Sequence, residues 1–161
     1  MNQDNQHHPD ASRSRKTGIL IGIGIMAAVD EIIFHQLLAW HHFYDQSTLK
    51  ISLLTDGLLH AAELVAIVAG FFLFADLRRR DSLVPLWVWS GFFLGLGAFQ
   101  LFDGIIDHKV LRLHQVRYGV NLLPYDLAWN LAGGVLLFIG IWLAFRARAA
   151  TKYAASVGKN L

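Results

Sequence analysis

Acidic and histidine side chains lie inside the first long apolar segment of this chain. Residues 18–40 are apolar for most of their length, yet they include Asp30, Glu31 and His35. Ionisable side chains are costly within hydrocarbon, and where they occur they usually serve binding or proton transfer. Glu31 and His35 are spaced i, i+4 and share one face of a helix, whereas Asp30 lies off that face. The segment therefore directs a carboxylate and an imidazole toward one point.

Three further apolar segments carry the same residue types at helical spacing. They are Asp56, His60 and Glu63 in the second segment, Gln100, Asp103 and Asp107 in the third, and Asp126 and Asn130 in the fourth. Residues at these spacings share a helix face. If the four segments alternate in direction across a membrane, all four polar clusters lie in the same half of it.

Imidazoles and carboxylates gathered from facing helices suit a bound cation. Carboxylates brought together in a medium of low dielectric repel one another unless they are protonated or neutralised by positive charge. The four apolar segments contain no lysine or arginine that would neutralise them. Mixed histidine and carboxylate ligands commonly hold metal ions inside helical bundles. We predict a metal site with room for two ions, and the ions expected are iron, zinc, copper or manganese.

The predicted site has two groups of residues. The predicted metal ligands are Glu31, His35, His60, Glu63, Asp103, Asp107, His108 and Asp126. Other residues are expected to orient these ligands or to lie at the mouth of the site, since metal ligands are usually held by a second layer of hydrogen bonds. They are Asp30, His42, Asp56, Gln100, His114, Tyr125 and Asn130.

Several of these residues also have a simpler interpretation, which stays open at this point. Asp56 has the residue type of a helix N-cap, and Asp126 suits the first turn of a helix, where an acid stabilises the helix dipole. His41, His108 and His114 are expected near the membrane–water interface, where a hydrated histidine needs no ligand. Any single buried acid could instead be protonated and bonded to a neighbouring helix.

The composition is that of an integral membrane protein. Of its 161 residues, 55% are hydrophobic and only 16% are charged. These proportions argue against a soluble domain or a nucleic-acid-binding protein, and no segment remains for a second core. The chain has no cysteine, which excludes disulfides, thiolate metal sites and iron–sulfur clusters.

We predict an all-α fold, a four-helix transmembrane bundle. The spans are expected at about residues 18–40, 55–77, 86–107 and 125–145. Residues 1–17 are expected to form a disordered cytoplasmic tail, residues 18–146 the membrane domain, and residues 147–161 a second cytoplasmic tail. Most of the 14 lysine and arginine residues lie in these tails and in the turn at residues 78–80. The positive-inside rule then puts both termini in the cytoplasm and the site in the outer half of a bacterial inner membrane.

Four sequence motifs resemble those of a bacterial family of predicted integral membrane proteins of unknown function. The motifs are VDEIIFHQLLAWHH at residues 29–42, DGLLH at 56–60, FDGIIDHKVLRLHQ at 102–115 and YDLAWN at 125–130. The resemblance covers about residues 18–145. It implies a small four-helix membrane protein, and it implies no activity.

The residues favour a metalloenzyme, either an oxidoreductase or a hydrolase, or a protein that handles metal ions. The main alternative is a proton or cation transporter that uses the acids as a relay, but the inner halves of the spans offer it no polar path. Haem held by His35 and His60, or a purely structural subunit, are further alternatives. The expected partners are the lipid bilayer and either a second copy of the chain or another membrane protein.

Overall fold

The computed structural model describes residues 9–157, and these residues form an all-α fold without strands. The elements are α1 (Ala11–Val29), the π-helical segment π1 (Asp30–Leu37), α2 (Leu49–Arg79), α3 (Pro85–Phe102), the π-helical segment π2 (Asp103–Val110) and α4 (Leu122–Val157). α1 runs directly into π1, and α3 runs directly into π2. The described chain thus has four helices long and apolar enough to span a membrane, and this confirms the predicted fold class.

The first helix begins earlier than the sequence suggested. Residues 11–17, which we expected in a disordered tail, form the first turns of α1. The carboxylate of Asp10 accepts a hydrogen bond from the backbone N–H of Arg13 at 2.8 Å and so caps the helix. The hydroxyl of Ser14 is buried and accepts a hydrogen bond from the N–H of Val84 at 3.0 Å. These polar contacts extend the helix beyond its apolar part.

The last helix also runs on past its apolar part. α4 continues to Val157, so residues 147–157 of the predicted second tail are helical. Alanine, lysine and arginine are strong helix formers, and residues 144–152 are rich in them. Residues 1–8 and 158–161, which belong to the two predicted tails, lie outside the described residues.

The helices lie side by side in the order α2, α1, α3, α4. The two middle helices pack against each other, and each outer helix packs against one of them. We compare the buried share of the residues in the most apolar stretch of each span. It is 44% in the span of α1 and 39% in the span of α3, but only 11% in α2 and 17% in α4. The middle pair therefore forms the core, and the outer helices present apolar side chains to lipid.

Glycines let α1 and α3 approach each other closely. A Cβ atom at Gly18 or Gly22 would collide with the carbonyl oxygens of Val88 and Phe92. In a bilayer, helices associate through such close packing of small residues, because lipid supplies no hydrophobic force between them. The close approach of α1 and α3 brings π1 and π2 next to each other at the end of the fold opposite the start of α1 and the end of α4.

The two halves of the chain repeat each other about the α1–α3 contact. Gly18 meets the carbonyl group of Val88, and Gly91 meets that of Arg15, so one constant shift in residue number relates the two contacts. The same shift relates Asp-x-Ile-Ile-x-His in π1 to Asp-x-Ile-Ile-x-His in π2. Two parallel helices that exchange contacts in this way are related by a two-fold axis between them. We call residues 11–79 the first repeat and residues 85–157 the second repeat.

Candidate metal centre

Six buried side chains, three from each repeat, converge beside the two-fold axis. Their exposed fractions range from 0% to 3%. They are Asp30, His35 and His41 from the first repeat and Asp103, His108 and His114 from the second. We call these six residues the central cluster. The site predicted from the sequence included five of them and omitted His41.

The π-helical segments give the acid and the first histidine of each repeat a common direction. At ~100° per residue, Asp30 and His35 would lie ~140° apart around an α-helix. In the wider π turn, hydrogen bonds join residues five apart, and Nε2 of His35 lies 3.5 Å from Oδ2 of Asp30. In the second repeat, Nε2 of His108 lies 3.1 Å from Oδ2 of Asp103. The prediction that Asp30 lies off the helix face that carries His35 was wrong, because it assumed an α-helix here.

One residue in a left-handed backbone conformation turns the chain after each π-helical segment. The φ angles are +46° at Ala39 and +54° at Arg112. A non-glycine residue in this region is strained and needs support from its surroundings, and such residues concentrate at functional sites. The two turns fold His41 and His114 over the central cluster, where their rings stack 4.5 Å apart with an angle of 9° between their planes.

Backbone hydrogen bonds fix which nitrogen of His41 and His114 faces the cluster. Nδ1 of His41 lies 2.8 Å from the carbonyl oxygen of Val116, and Nδ1 of His114 lies 2.9 Å from that of Phe43. A carbonyl oxygen only accepts hydrogen bonds, so each Nδ1 carries a hydrogen. In the neutral imidazole, each Nε2 then offers a lone pair. The two contacts are again related by the repeat.

The ligand atoms of the central cluster are spaced as they would be around a metal ion. Nε2 of His41 lies 4.0 Å from Oδ1 of Asp30, and Nε2 of His114 lies 3.3 Å from Oδ1 of Asp103. Neither Nε2 atom has a hydrogen-bond partner among the described residues. Ligand atoms about 2.1 Å from a tetrahedral ion are roughly 3.4 Å from one another. Lone pairs that face carboxylates at such distances are stabilised by a cation between them.

Two three-residue groups within the central cluster could each hold an ion. One consists of His35, His41 and His114, and the other consists of Asp103, His108 and His114. In each group, one ligand atom from every residue lies within 4.8 Å of the others. His114 belongs to both groups and therefore lies at the middle of the cluster.

The two stacked histidines differ in basicity. Burial, followed by the charge of the neighbouring His114, lowers the pKa of His41 to about 2. Burial also acts to lower the pKa of His114, but the adjacent carboxylate of Asp103 outweighs it, and the pKa is raised. His41 therefore stays neutral, while Asp103 favours a proton on His114. A metal ion bound at this place would displace that proton.

A second set of predicted residues lies beside a cavity of about 440 Å³ between π1 and α2. Nδ1 of His35 lies 2.8 Å from Oε2 of Glu31 and 3.3 Å from Oδ1 of Asp56. These three residues form a further group that could hold an ion. Nδ1 of His60 lies 2.6 Å from Oε1 of Glu63. His60 and Glu63 belong to none of the three groups, although both were predicted as ligands.

Asp56 does not cap α2, because that helix begins earlier, after Thr48. The interpretation of Asp56 as an N-cap was therefore wrong. Its carboxylate instead accepts hydrogen bonds from Nδ1 of His42 at 2.6 Å and from the backbone N–H of Phe43 at 2.7 Å. Asp56 thus holds the loop that carries His41 and His42 against α2.

Asp126 is neutralised by a lysine and joins none of the three groups. Its Oδ2 lies 2.6 Å from Nζ of Lys109. The spans were expected to contain no lysine, but π2 extends the third span through Val110 and so includes Lys109. Asp126 is also not in the first turn of α4, which begins at Leu122. Asn130 donates a hydrogen bond to the backbone oxygen of Asp126 at 2.9 Å.

The remaining predicted residues contact the helices around the centre. Asp107 is buried, with 6% exposure, and belongs to none of the three groups. Tyr125 accepts a hydrogen bond from Arg117 at 2.8 Å. Gln100 donates a long hydrogen bond to the carbonyl oxygen of Trp129 at 3.4 Å. These hydrogen bonds join α4 to the loop before it and to α3.

Comparison with known proteins agrees with the resemblance seen in the sequence. A family model described as "Predicted membrane protein (DUF2243)" matches residues 17–147. The chain belongs to this family. The match covers most of both repeats and contains all six residues of the central cluster. No curated protein and no solved structure matches the chain. The DUF2243 description states a membrane location and no activity.

Sequence reasoning missed His41 in this DUF2243 protein, although a signal for it was present. We assigned His41 to the hydrated interface, yet only 3% of it is exposed. In both repeats, Asp-x-Ile-Ile-x-His is followed six residues later by another histidine, His41 in the first and His114 in the second. Aligning the two halves of the chain would have paired these residues and identified all six members of the central cluster.

Proposed function

We propose that this protein is a multi-pass membrane protein that holds a metal ion in the central cluster. The observation that carries the proposal is the orientation of His41 and His114. Their Nδ1 atoms are fixed on backbone carbonyl groups, and their Nε2 atoms face the carboxylates of Asp30 and Asp103 without hydrogen bonds. Buried polar atoms without partners are costly, and a cation ligated by these atoms removes that cost.

The ligand types narrow the choice of ion. Four imidazoles and two carboxylates suit zinc, copper or iron, whereas manganese prefers a set richer in oxygen. When bound, such an ion supplies Lewis acidity or, for copper and iron, a redox couple. His41 and His114 would hold it through Nε2, with their tautomers fixed by the carbonyl groups of Val116 and Phe43. Asp30 and Asp103 would supply negative charge.

The burial of the cluster favours metal handling or electron transfer over hydrolysis. A catalytic ion keeps a coordination position open to water or substrate, and all six side chains of the cluster are buried. A metalloenzyme is the second candidate, because the cavity between π1 and α2 reaches His35. A transporter would need a polar route toward the other end of the fold, where α1 begins and α4 ends. Among the described residues, the glycine contacts of α1 and α3 close that route.

The orientation in the membrane follows from the basic residues. Arg78 and Arg79 end α2 and Arg80 follows them, at the end of the fold where α1 begins and α4 ends, and the positive-inside rule favours the cytoplasm for that end. The central cluster then lies near the outer face of a bacterial inner membrane. At that place, a buried centre would exchange metal or electrons with partners outside the cytoplasm.

Elemental analysis of the purified, detergent-solubilised protein tests the proposal. We expect a stoichiometric first-row transition metal in the wild-type protein and at least one ion per chain less in the double variant His41→Ala/His114→Ala. The matched control is His7→Ala/His8→Ala, which removes the same number of histidines outside the described residues and should keep the metal. Equal metal contents in the two double variants would refute the proposal.

A further inference from the structure

The cavity between π1 and α2 concentrates ionisable groups outside the central cluster. Its volume is about 440 Å³, and its lining includes Glu31, His42, Asp56 and His60. His35 separates this cavity from the central cluster: its Nε2 faces Asp30, and its Nδ1 faces the cavity side. We call this space the lateral cavity. All of its lining residues belong to the first repeat.

The groups around the lateral cavity are short of hydrogen-bond donors. Glu31 is fully buried, and its Oε1 accepts a hydrogen bond from the amide of Gln36 at 2.9 Å. Its Oε2 lies 2.8 Å from Nδ1 of His35, and neither atom has a hydrogen-bond partner among the described residues. Nδ1 of His60 and Oε1 of Glu63 lie 2.6 Å apart, and neither atom has a hydrogen-bond partner among the described residues.

The negative charge around the lateral cavity lacks a fixed counter-charge. Glu31, Asp56 and Glu63 supply three carboxylates, all from buried residues. Their ion-pair contacts among the described residues are with histidines alone. Several carboxylates in a site of low dielectric are stable only if protons or bound cations neutralise them. The lateral cavity is therefore a place where positive charge lowers the free energy.

The second repeat retains one of the acidic residues found around the lateral cavity and lacks the others. A slightly shorter shift in residue number relates α2 to α4, so Asp56 corresponds to Asp126 and is retained. The other residues change: Gly104 stands in place of Glu31, Gln115 in place of His42, Asn130 in place of His60, Gly133 in place of Glu63 and Lys109 in place of Gln36.

Lys109 supplies the positive charge in the second repeat. Its ammonium lies 2.6 Å from Oδ2 of Asp126 and 3.0 Å from Oε1 of Gln115. In the first repeat, the residue at the position of Lys109 is Gln36, which is neutral, while the number of carboxylates rises from one to three. The second repeat thus has a lysine and one carboxylate at this place, whereas the first repeat has three carboxylates and no lysine.

We propose that the lateral cavity is a second cation site, separate from the central cluster, for a divalent first-row transition-metal ion. Carboxylate oxygens of Glu31 and Asp56 would bind the ion together with Nδ1 of His35, since one ligand atom from each of these three residues lies within 4.8 Å of the others. This mixture of oxygen and nitrogen ligands suits such ions. The side chains of His42 and His60 are 26% and 40% exposed, so an ion here exchanges with the surroundings faster than an ion in the central cluster.

Replacing Gln36 with lysine tests the proposal directly. Gln36 is exposed, so Gln36→Lys leaves the packing intact while it places in the first repeat the ammonium that the second repeat already has. We expect wild-type protein loaded with Zn²⁺ and passed through a desalting column to retain two ions per chain, and Gln36→Lys to retain one. The double variant Glu31→Gln/Asp56→Asn should also retain one. The control variant Lys109→Gln should retain at least two.

The two metal sites are distinguished by a second arm of the same experiment. His41→Ala/His114→Ala removes ligands of the central cluster alone and should leave one Zn²⁺ per chain, which is then lost on adding Gln36→Lys. If Gln36→Lys retains as many ions as the wild-type protein, the lateral site is refuted while the central cluster stands. If Gln36→Lys loses one ion and His41→Ala/His114→Ala loses none, the lateral site stands and the central cluster fails.

Discussion

The imidazole rings of His41 and His114 stack in parallel, 4.5 Å apart, although they come from different halves of the chain. Each donates from Nδ1 to a backbone carbonyl group in the other repeat, His41 to Val116 and His114 to Phe43. This reciprocal pairing joins the two loops that cover the central cluster. It also directs two Nε2 atoms toward the carboxylates, as a metal centre at a two-fold axis requires.

The reciprocal pairing predicts that both histidines contribute to metal binding. We expect His41→Ala and His114→Ala each to weaken Zn²⁺ binding by roughly 100-fold or more, since even residues that only orient ligands usually contribute 10–100-fold. Competition with a chromophoric chelator in detergent solution measures the affinities. An effect of one variant that is 100 times larger than that of the other would show that the centre is not shared between the repeats.

The π-helical geometry of π1 predicts an effect of changing the chain length. Deleting Ile33, whose side chain faces outward with 38% exposure, should convert π1 toward an α-helix and rotate Asp30 away from His35. We expect the deletion to abolish binding at the central cluster while the protein still inserts into the membrane. Ile33→Ala, which keeps the chain length, is the matched control and should retain the metal. Equal metal contents in the deletion and the substitution would argue against a role for the π-helical turn.

Metal binding should strengthen with increasing pH. The carboxylate of Asp103 raises the pKa of His114, so a cation that binds to His114 must displace a proton until the pH exceeds that pKa. Below it, we expect the affinity to fall by up to about tenfold per pH unit for each proton displaced. Calorimetry in buffers of different ionisation enthalpy counts the protons. Asp103→Asn removes the cause of the raised pKa and should release fewer protons, whereas unchanged proton release would contradict this explanation.

The glycine contacts predict where the fold is sensitive to small substitutions. Gly22→Ala would drive a Cβ into the backbone of α3 at Phe92, and such overpacking costs about 1–3 kcal/mol. Gly134 has no atom within contact distance of an added Cβ, so Gly134→Ala should instead stabilise the helix by up to ~1 kcal/mol. Unfolding in mixed micelles measures both. Similar stabilities of the two variants would contradict the proposed α1–α3 packing.

The orientation is testable because the chain has no cysteine. We expect Tyr118→Cys, at an exposed position in the loop before α4, to react with a membrane-impermeant maleimide added to intact cells. Lys152→Cys, near the other end of α4, should react only after the cells are permeabilised. The wild-type protein is the unlabelled control. The reverse pattern of labelling would place the central cluster on the cytoplasmic side.

The sequence predicted four apolar helices with polar residues toward one end of them, but it did not predict which residues meet. Hydropathy and the residue types within each span were sufficient for Glu31, His35 and Asp103, because their segments are strongly apolar. Asp30 was misjudged because a helical wheel assumes α-helical phase, and the π turn changes that phase. His41 and His114 are buried by loops, and single-segment reasoning cannot detect a fold-back at Ala39 or Arg112. Only the repeat links these positions.

X-ray absorption spectroscopy of the metal-loaded protein tests the central claim most directly. For Gln36→Lys loaded with one equivalent of Zn²⁺, which isolates the central cluster, we expect nitrogen and oxygen ligands at about 2.0–2.2 Å. We also expect outer-shell scattering from at least two imidazoles, and the loss of this scattering in the triple variant Gln36→Lys/His41→Ala/His114→Ala. A spectrum without imidazole scattering, or one unchanged in that triple variant, would contradict a metal ion held between the two repeats.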